Sequence, residues 1–513
     1  MTTTTDNATL RLHVSDEVVV ARRDLAPGEV LDVAGGIVVV RDAIPAGHKV
    51  ATTPVAKGAP VHKYGQVIGV ATEPIAAGQH VHVHNLQMGS FDRHATIGAA
   101  ARPTALVESG AQEHFLGIVR DDGRVATRNF VAVLTSVNCS ATVARRVANH
   151  FATDTGLAGY DNVDGVVAIT HGTGCGMAPG GDGLAILRRT IAGYARHPNL
   201  AGVVVIGLGC EDNQVPDLVE EFALPRSMPV HAFTIQDQGG SSAAISRGIE
   251  ATEEILELAA QVERVPCPVS DLVVGLQCGG SDAYSGISAN PALGAAVDLL
   301  VQHGGTALLG ETPEIYGAEH LLSSRAATTE AGQDLLDRIA WWERYTLHNG
   351  GSMDNNPSPG NKAGGLTTIL EKSLGAVAKG GTTNLVEVVG YGEAPSRKGL
   401  VFMDTPGYDP VSATGMVAGG AHLICFTTGR GSVFGAKPAP SIKLATNRTM
   451  YRRMEQDMDV DCGAILEGEA SIEEMGRSIF SLIVDVASGR PTKSELLGVG
   501  DEEMVPWQLG AVM

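Results

Sequence analysis

A chain of 513 residues, 44% of them hydrophobic, is too long for one ordinary core and too apolar to be disordered, which predicts a globular protein of two or three domains. A formal net charge of −20 argues against nucleic acid as a partner, since phosphates need Lys and Arg to neutralise them. It leaves an anionic small molecule open, because a local cation can dominate a pocket.

No apolar run reaches the length of a membrane span, so no membrane partner is expected. The start, MTTTTDNATL, lacks the basic and apolar regions of a signal peptide. Seven cysteines with no dense framework fit a reducing compartment, the cytoplasm.

After a threonine-rich tip, expected to fray, one phrase recurs four times: LAPGEVL at 25–31, IPAGHKV at 44–50, VAKGAPV at 55–61 and IAAGQHV at 75–81. Each is an apolar residue, two intervening residues, a glycine for a positive-φ turn position and a return to an apolar residue. With strand-like runs at 17–21, 36–40 and 67–70 between them, this predicts a small all-β domain of bent hairpins over 10–86. Two parts of it carry chemistry. His48 and Lys49 directly follow a turn, and HVHVHN at 80–85 alternates, so a strand would put His80, His82 and His84 on one face with metal-ligand spacing. A solvated edge strand is the plainer alternative.

Residues 87–114 lose all periodicity and read as a linker, with room for a short helix. A hairpin around Asp122 and Gly123 then leads into strand–loop–helix repeats that predict an α/β domain over 115–265 with a parallel sheet. Its strands end in small loops carrying Cys139, then His171 with Cys175, then Cys210 with Glu211 and Asp212. Neither dinucleotide nor P-loop fingerprint occurs in proper context, so nucleotide binding is rejected. The loop cysteines, together with Cys278 further on, are either packing residues or ligands for iron or an iron–sulfur cluster.

A second α/β domain is predicted over 266–513, entered through VPCPVS at 265–270. Its strand at 272–274 runs into Cys278-Gly279-Gly280-Ser281-Asp282, the way an open α/β sheet presents polar groups at its carboxyl edge. A strand at 306–309 ends in Glu311 and Glu314, and 326–349 reads as a helix docking Trp341 and Trp342. The loop NNPSPGNKAGG at 355–365, stiffened by two prolines, presents Asn361 and Lys362 for carboxylate and hydroxyl groups. A further strand at 423–426 ends in TTGRGS, an anion-binding turn around Arg430, and SIKLATN at 441–447 closes the sheet. An amphipathic helix follows over 472–489.

Several phrases together resemble the altronate/galactarate dehydratase family along nearly the whole chain: GHK at 47–49, KYGQVIG at 63–69, HVHVHN at 80–85, IGLGCE at 206–211, QCGGSDAYSGISANP at 277–291, NPSPGNKAGG at 356–365 and TTGRGS at 427–432. The resemblance implies an N-terminal β-clip domain of the antifreeze-protein-like (SAF-like) type ahead of α/β domains with Rossmann-like sheets, and a homodimer. It implies elimination of water from a sugar acid to give a 2-keto-3-deoxy acid, with a requirement for divalent iron or a similar metal such as manganese or magnesium; the iron–sulfur cluster that the strand-end cysteines allow is the lesser alternative. HVHVHN looks like the altronate branch and LVVGLQCGGSDAYSG like the galactarate branch, whereas THGTGCGM at 170–177 departs from both, where an aromatic residue precedes the Gly-Cys. The family also includes sulfolactate sulfo-lyases, which expel sulfite by the same β-elimination.

A 2,3-dihydroxy acid losing its α-proton needs a base, positive charge beside the enediolate and an acid for the leaving hydroxyl. Metal ligation is therefore expected of His82 and His84, with Glu211 or Asp282, and of Cys175, Cys210 and Cys278 in the cluster alternative. Proton transfer is expected of His48 or Lys49, with His171 as substitute, and substrate contacts of Ser281, Asp282, Asn361, Lys362 and Arg430. A non-catalytic sugar-acid sensor is the alternative of another class, and the number of polar strand ends argues against it.

Overall fold

The computed structural model describes residues 8–33, 36–89, 96–152, 156–501 and 503–510; the threonine-rich tip expected to fray lies outside them. The N-terminal domain is all-β. Strands Thr9–Leu10, Val18–Ala21, Lys49–Ala51 and His80–Val81 form one antiparallel sheet in that order, flanked by two smaller sheets. The four repeated turns are real: Gly28, Gly47, Gly58 and Gly78 have φ between +81° and +86°, a region closed to most side chains. Paired repeats bridge through Leu25 with Ile44 and Val55 with Ile75, and each pair builds its own small core.

Of the linker, residues 90–95 lie outside the description. The rest is laid along the C-terminal domain: Gly98 N–H donates to Ser323 O at 3.0 Å and Val107 N–H to Gln302 O at 2.8 Å. The short helix expected there is one 3-10 turn, Ser109–Ala111.

The second domain is a four-stranded parallel sheet in the order Gly165–Ile169, Phe130–Thr135, Leu200–Gly207, Val230–Thr234. Its strands are near-continuous apolar runs because helices cover both faces. Ala141–His150 and Ser241–Ala259 pack on one face, Asp182–Ala195 and Val215–Phe222 on the other. The VPCPVS stretch does more than join domains: Val265–Pro268 pairs antiparallel with His114–Val119, tying the end of this domain to its beginning.

The C-terminal domain is a seven-stranded parallel sheet with Val273–Cys278 at its centre. On one side the chain adds Thr306–Leu309, then the edge strand Leu385–Val389, then Leu400–Met403 between those two. It then returns to add Leu423–Thr428, Ser441–Ala445 and Val460–Asp461 on the other. The expectation that 441–447 closes the sheet is corrected by Val460–Asp461, a two-residue strand too short to read from its pattern. The order reverses beside Val273–Cys278, so the crevice of this sheet opens between Cys278 and Thr428, where such sheets hold ligands. Helix Asp182–Ala195 of the second domain packs on Asp409–Ala418 of the third, with Gly193 so near that a β-carbon would meet Ala418 O at 2.3 Å. Trp342 is buried as expected, its Nε1 donating to Asp404 at 2.8 Å, while Trp341 is only partly covered. Among the described residues no helix is long and apolar enough to cross a membrane.

Candidate metal centre and substrate cavity

Three imidazoles converge in the N-terminal domain. His48 follows the turn at Gly47, while His80 and His82 come from the end of the strand beside it; their ligand nitrogens all lie within 4.8 Å of one another. His48 Nδ1 and His80 Nε2 are 2.9 Å apart. His82 Nδ1 is buried with no hydrogen-bond partner among the described residues. Burial holds all three below the ordinary imidazole value, His80 at about 4 and His82 at about 3, so each offers a lone pair at neutral pH. An orphaned buried nitrogen and facing lone pairs are what a divalent ion would satisfy, and the set fits one.

His84 is not part of this trio. The alternation that would align it ends at Val81, where the Asn85 side chain accepts from His82 N–H at 3.0 Å and turns the chain; His84 is left exposed with its ring against His80. The place expected of His84 is taken by His48, which sequence spacing could not bring in because it lies on another hairpin.

Behind the histidines sits a buried charge group that the motifs only hinted at. Glu371, wholly buried, accepts from Lys49 at 2.9 Å and from Lys63 at 2.8 Å. Burial pushes the Lys49 ammonium down to about 8. It also opposes charge on Lys63, yet the nearby Glu371 outweighs it and holds Lys63 above its ordinary value. One carboxylate shared by two ammonium groups leaves an excess positive charge, and Lys49 is the group that yields. Lys49 also donates to Gly365 O at 2.7 Å and is wholly buried, so it braces the 363–365 loop instead of facing substrate, contrary to the proton-transfer expectation.

That loop is shared with a cavity of about 500 Å³, lined by Ala46, Ala363, Gly364, Asp282, Tyr284, Asn447 and five arginines, Arg22, Arg23, Arg430, Arg448 and Arg453. His48 Nε2 lies 3.4 Å from Ala363 O, so metal centre and cavity adjoin. Arg23 pairs with Glu29, and Arg448 with Asp461, Glu467 and Glu469, so in a chain of net charge −20 the cavity's positive character comes from Arg22, Arg430 and Arg453 set against Asp282. Asp282 lies at the sheet's switch point. Its carboxylate accepts from Thr446 Oγ1 at 3.0 Å, Ser285 Oγ at 3.1 Å and Asn447 Nδ2 at 3.1 Å, and burial still keeps its pKa raised.

Other expected site residues are placed differently. Asn361 is spent on structure: its side chain accepts from Ser358 in a capping box and donates to Ser281 O at 2.8 Å. Ser281 is buried, and Lys362 is half-buried outside the cavity lining. His171 is buried in the second domain, with Nε2 on Thr135 O at 3.0 Å and Nδ1 accepting from Thr173 N–H at 3.3 Å; burial lowers it to about 4. It is not among the residues that line the arginine-rich cavity.

Glu211, Cys175 and Cys210 stand on that same edge and do not join the histidines. Glu211 accepts from Ser136 Oγ at 2.5 Å and from the N–H groups of Leu208 and Gly209. Cys278 forms a second group that could hold an ion, with Glu311 and Glu314. There Lys379 already bonds Glu311 at 2.7 Å and Lys372 bonds Glu314 at 2.6 Å, while burial pushes the thiol well up. Two ammonium groups stand where a cation would.

Residues 7–89 match the altronate/galactarate dehydratase SAF domain. Residues 117–260 match the second domain of D-galactarate dehydratase/altronate hydrolase, and 269–512 the C-terminal domain of D-galactarate/altronate dehydratase. The chain is 34% identical to the altronate dehydratase of Bacillus subtilis (strain 168) and 36% identical to that of Escherichia coli (strain K12). Each match covers 95% of this chain and 96% of the relative. It is 37% identical to the galactarate dehydratase (L-threo-forming) of Escherichia coli (strain K12), over 87% of this chain and 86% of the relative.

Proposed function

The chain belongs to the D-galactarate/altronate dehydratase family, and from that premise we propose that it removes water from an altronate- or galactarate-type sugar acid to leave a 2-keto-3-deoxy acid, with His48, His80 and His82 holding the metal. The observation that carries this is the adjacency of three converging imidazoles to an arginine-lined cavity about the size of a small ligand. A divalent metal, ferrous iron in our reading, would supply Lewis-acid charge beside the substrate's carboxylate and hydroxyl oxygens.

The chain's own residues do the rest. Arg430 and Arg453, both exposed to the cavity, take the carboxylate in charge-assisted hydrogen bonds. Asp282, made more basic by burial, accepts the C2 proton and returns it to the departing C3 hydroxyl, the two groups lying on one face of the substrate. The C2–H and C3–O bonds break, water leaves, and the enol becomes the 2-keto acid. Lys49, Lys63 and Glu371 position His48 and the 363–365 loop.

The test is formation of 2-keto-3-deoxy acid by anaerobically purified protein from altronate, galactarate and sulfolactate, with ferrous iron, manganese or no metal. Metal-dependent turnover of a sugar acid, lost in the His80→Ala/His82→Ala variant, is expected. Turnover of sulfolactate alone would replace the dehydratase with a sulfo-lyase.

A further inference from the structure

Three of the seven cysteines are exposed, and all three stand on one edge of the second domain. Cys139, Cys175 and Cys210 follow the strands Phe130–Thr135, Gly165–Ile169 and Leu200–Gly207, adjacent in the sheet with the first in the middle. Their loops are tied together. Asn138 N–H donates to Thr173 O at 2.9 Å, Asn213 N–H to Gly174 O at 3.1 Å, and the Asn213 side chain to Ser136 O at 2.9 Å. A β-carbon on Gly174 would meet Ser136 O at 2.4 Å, so the Cys175 loop lies directly on the Cys139 loop. Gly174 and Gly209 each precede a cysteine with φ of +105° and +128°, turning the chain where a side chain could not follow.

Cysteine is among the most buried residue types, and three exposed thiols on interlocked loops ask for a ligand. The other ligand types nearby are withdrawn: both nitrogens of His171 and both oxygens of Glu211 are taken by the protein. A structural zinc ion wants four closed ligands. Nor do the three sulfurs all lie within 4.8 Å of one another, the mutual spacing of the ligand atoms in the histidine trio. A sulfide-bridged iron cluster spans thiolates at wider spacing.

We propose that Cys139, Cys175 and Cys210 bind a [4Fe–4S] cluster through three thiolates, leaving its fourth iron open to a hydroxyl or carboxylate ligand at the carboxyl edge of the sheet. Each thiol gives up its proton as it ligates iron, and two ferrous ions, two ferric ions and four inorganic sulfides make up the cluster in its 2+ state, so no electron is left over and no protein bond is oxidised or reduced. Cys278, buried in the other sheet and bonded to Glu311 and Glu314, is not a ligand. This centre is separate from the histidine trio and does not depend on its role.

The test uses the full chain, carrying His80→Ala/His82→Ala to remove the other metal centre, reconstituted anaerobically with equal ferrous and ferric iron and sulfide. A brown protein with a visible band bleached by dithionite, and about four irons and four acid-labile sulfides per chain, is expected. Oxidation should release one iron and leave the paramagnetic signal of a three-iron cluster. Cys139→Ser, Cys175→Ser and Cys210→Ser should each lower the sulfide content and the triple variant abolish it, while Cys278→Ser retains it. Circular dichroism of the single variants separates lost ligation from lost fold. Iron bound without sulfide, no iron at all, or a band that survives the triple variant overturns the proposal.

Discussion

Gly429 and Asp282 touch so closely that a β-carbon on Gly429 would lie 2.2 Å from the Asp282 carboxyl carbon. The glycine is what lets the anion-binding turn close over the carboxylate without displacing it from Thr446 and Asn447. Gly429→Ala should therefore lower kcat by about 100-fold, the order expected for misplacing a reacting group by an ångström. Metal content should stay unchanged. Unaltered kcat would remove Asp282 from the reaction.

Arg430 lines the cavity without building the fold, and a charge-assisted hydrogen bond is worth roughly 1.5–3 kcal/mol. Arg430→Ala should raise KM about 10- to 100-fold with kcat little changed, the signature of lost uniform binding. Steady-state kinetics on the preferred sugar acid decides it, and a fall in kcat at constant KM would assign Arg430 to the transition state instead.

His82 and His84 are two residues apart and should behave oppositely. His82→Ala should lose bound metal and metal-dependent turnover with the fold intact. His84→Ala, outside the trio, should keep both. Elemental analysis after dialysis reads the difference directly.

Glu371→Gln leaves Lys49 and Lys63 buried without their counter-ion. Breaking a buried pair in this way costs roughly 3–5 kcal/mol, so the urea midpoint should fall well below that of the parent. A loss under about 1 kcal/mol would mean that both amines shed their protons at little cost.

Asp409 should make stability fall as pH rises. Burial, reinforced by Glu311 and Glu314, lifts its carboxyl to about 7, above the ordinary carboxylate value it has when unfolded. Below the unfolded value both states are protonated and nothing is lost. Between that value and about 7 only the unfolded state ionises, so stability declines with each pH step and levels off above. Asp409→Asn should flatten the slope relative to the parent over that window. Parallel stability profiles for the two proteins would exclude the shift.

The repeated glycine turns at 28, 47, 58 and 78, the apolar strands and the polar strand ends were all legible in the order of residues, because each depends on neighbours within a few positions. So was the family, through phrases long enough to identify it. Which of those polar groups meet was not legible. His48 joins His80 and His82 across two hairpins, Glu371 reaches Lys49 over more than 300 residues, and Cys278 leaves the company of Cys139, Cys175 and Cys210 for a different sheet. His84 failed for the opposite reason, since a two-residue alternation was extended through a turn that Asn85 imposes. Local backbone geometry follows from local sequence. Which side chains converge depends on strand order and on how domains pack, and chain spacing carries no trace of either.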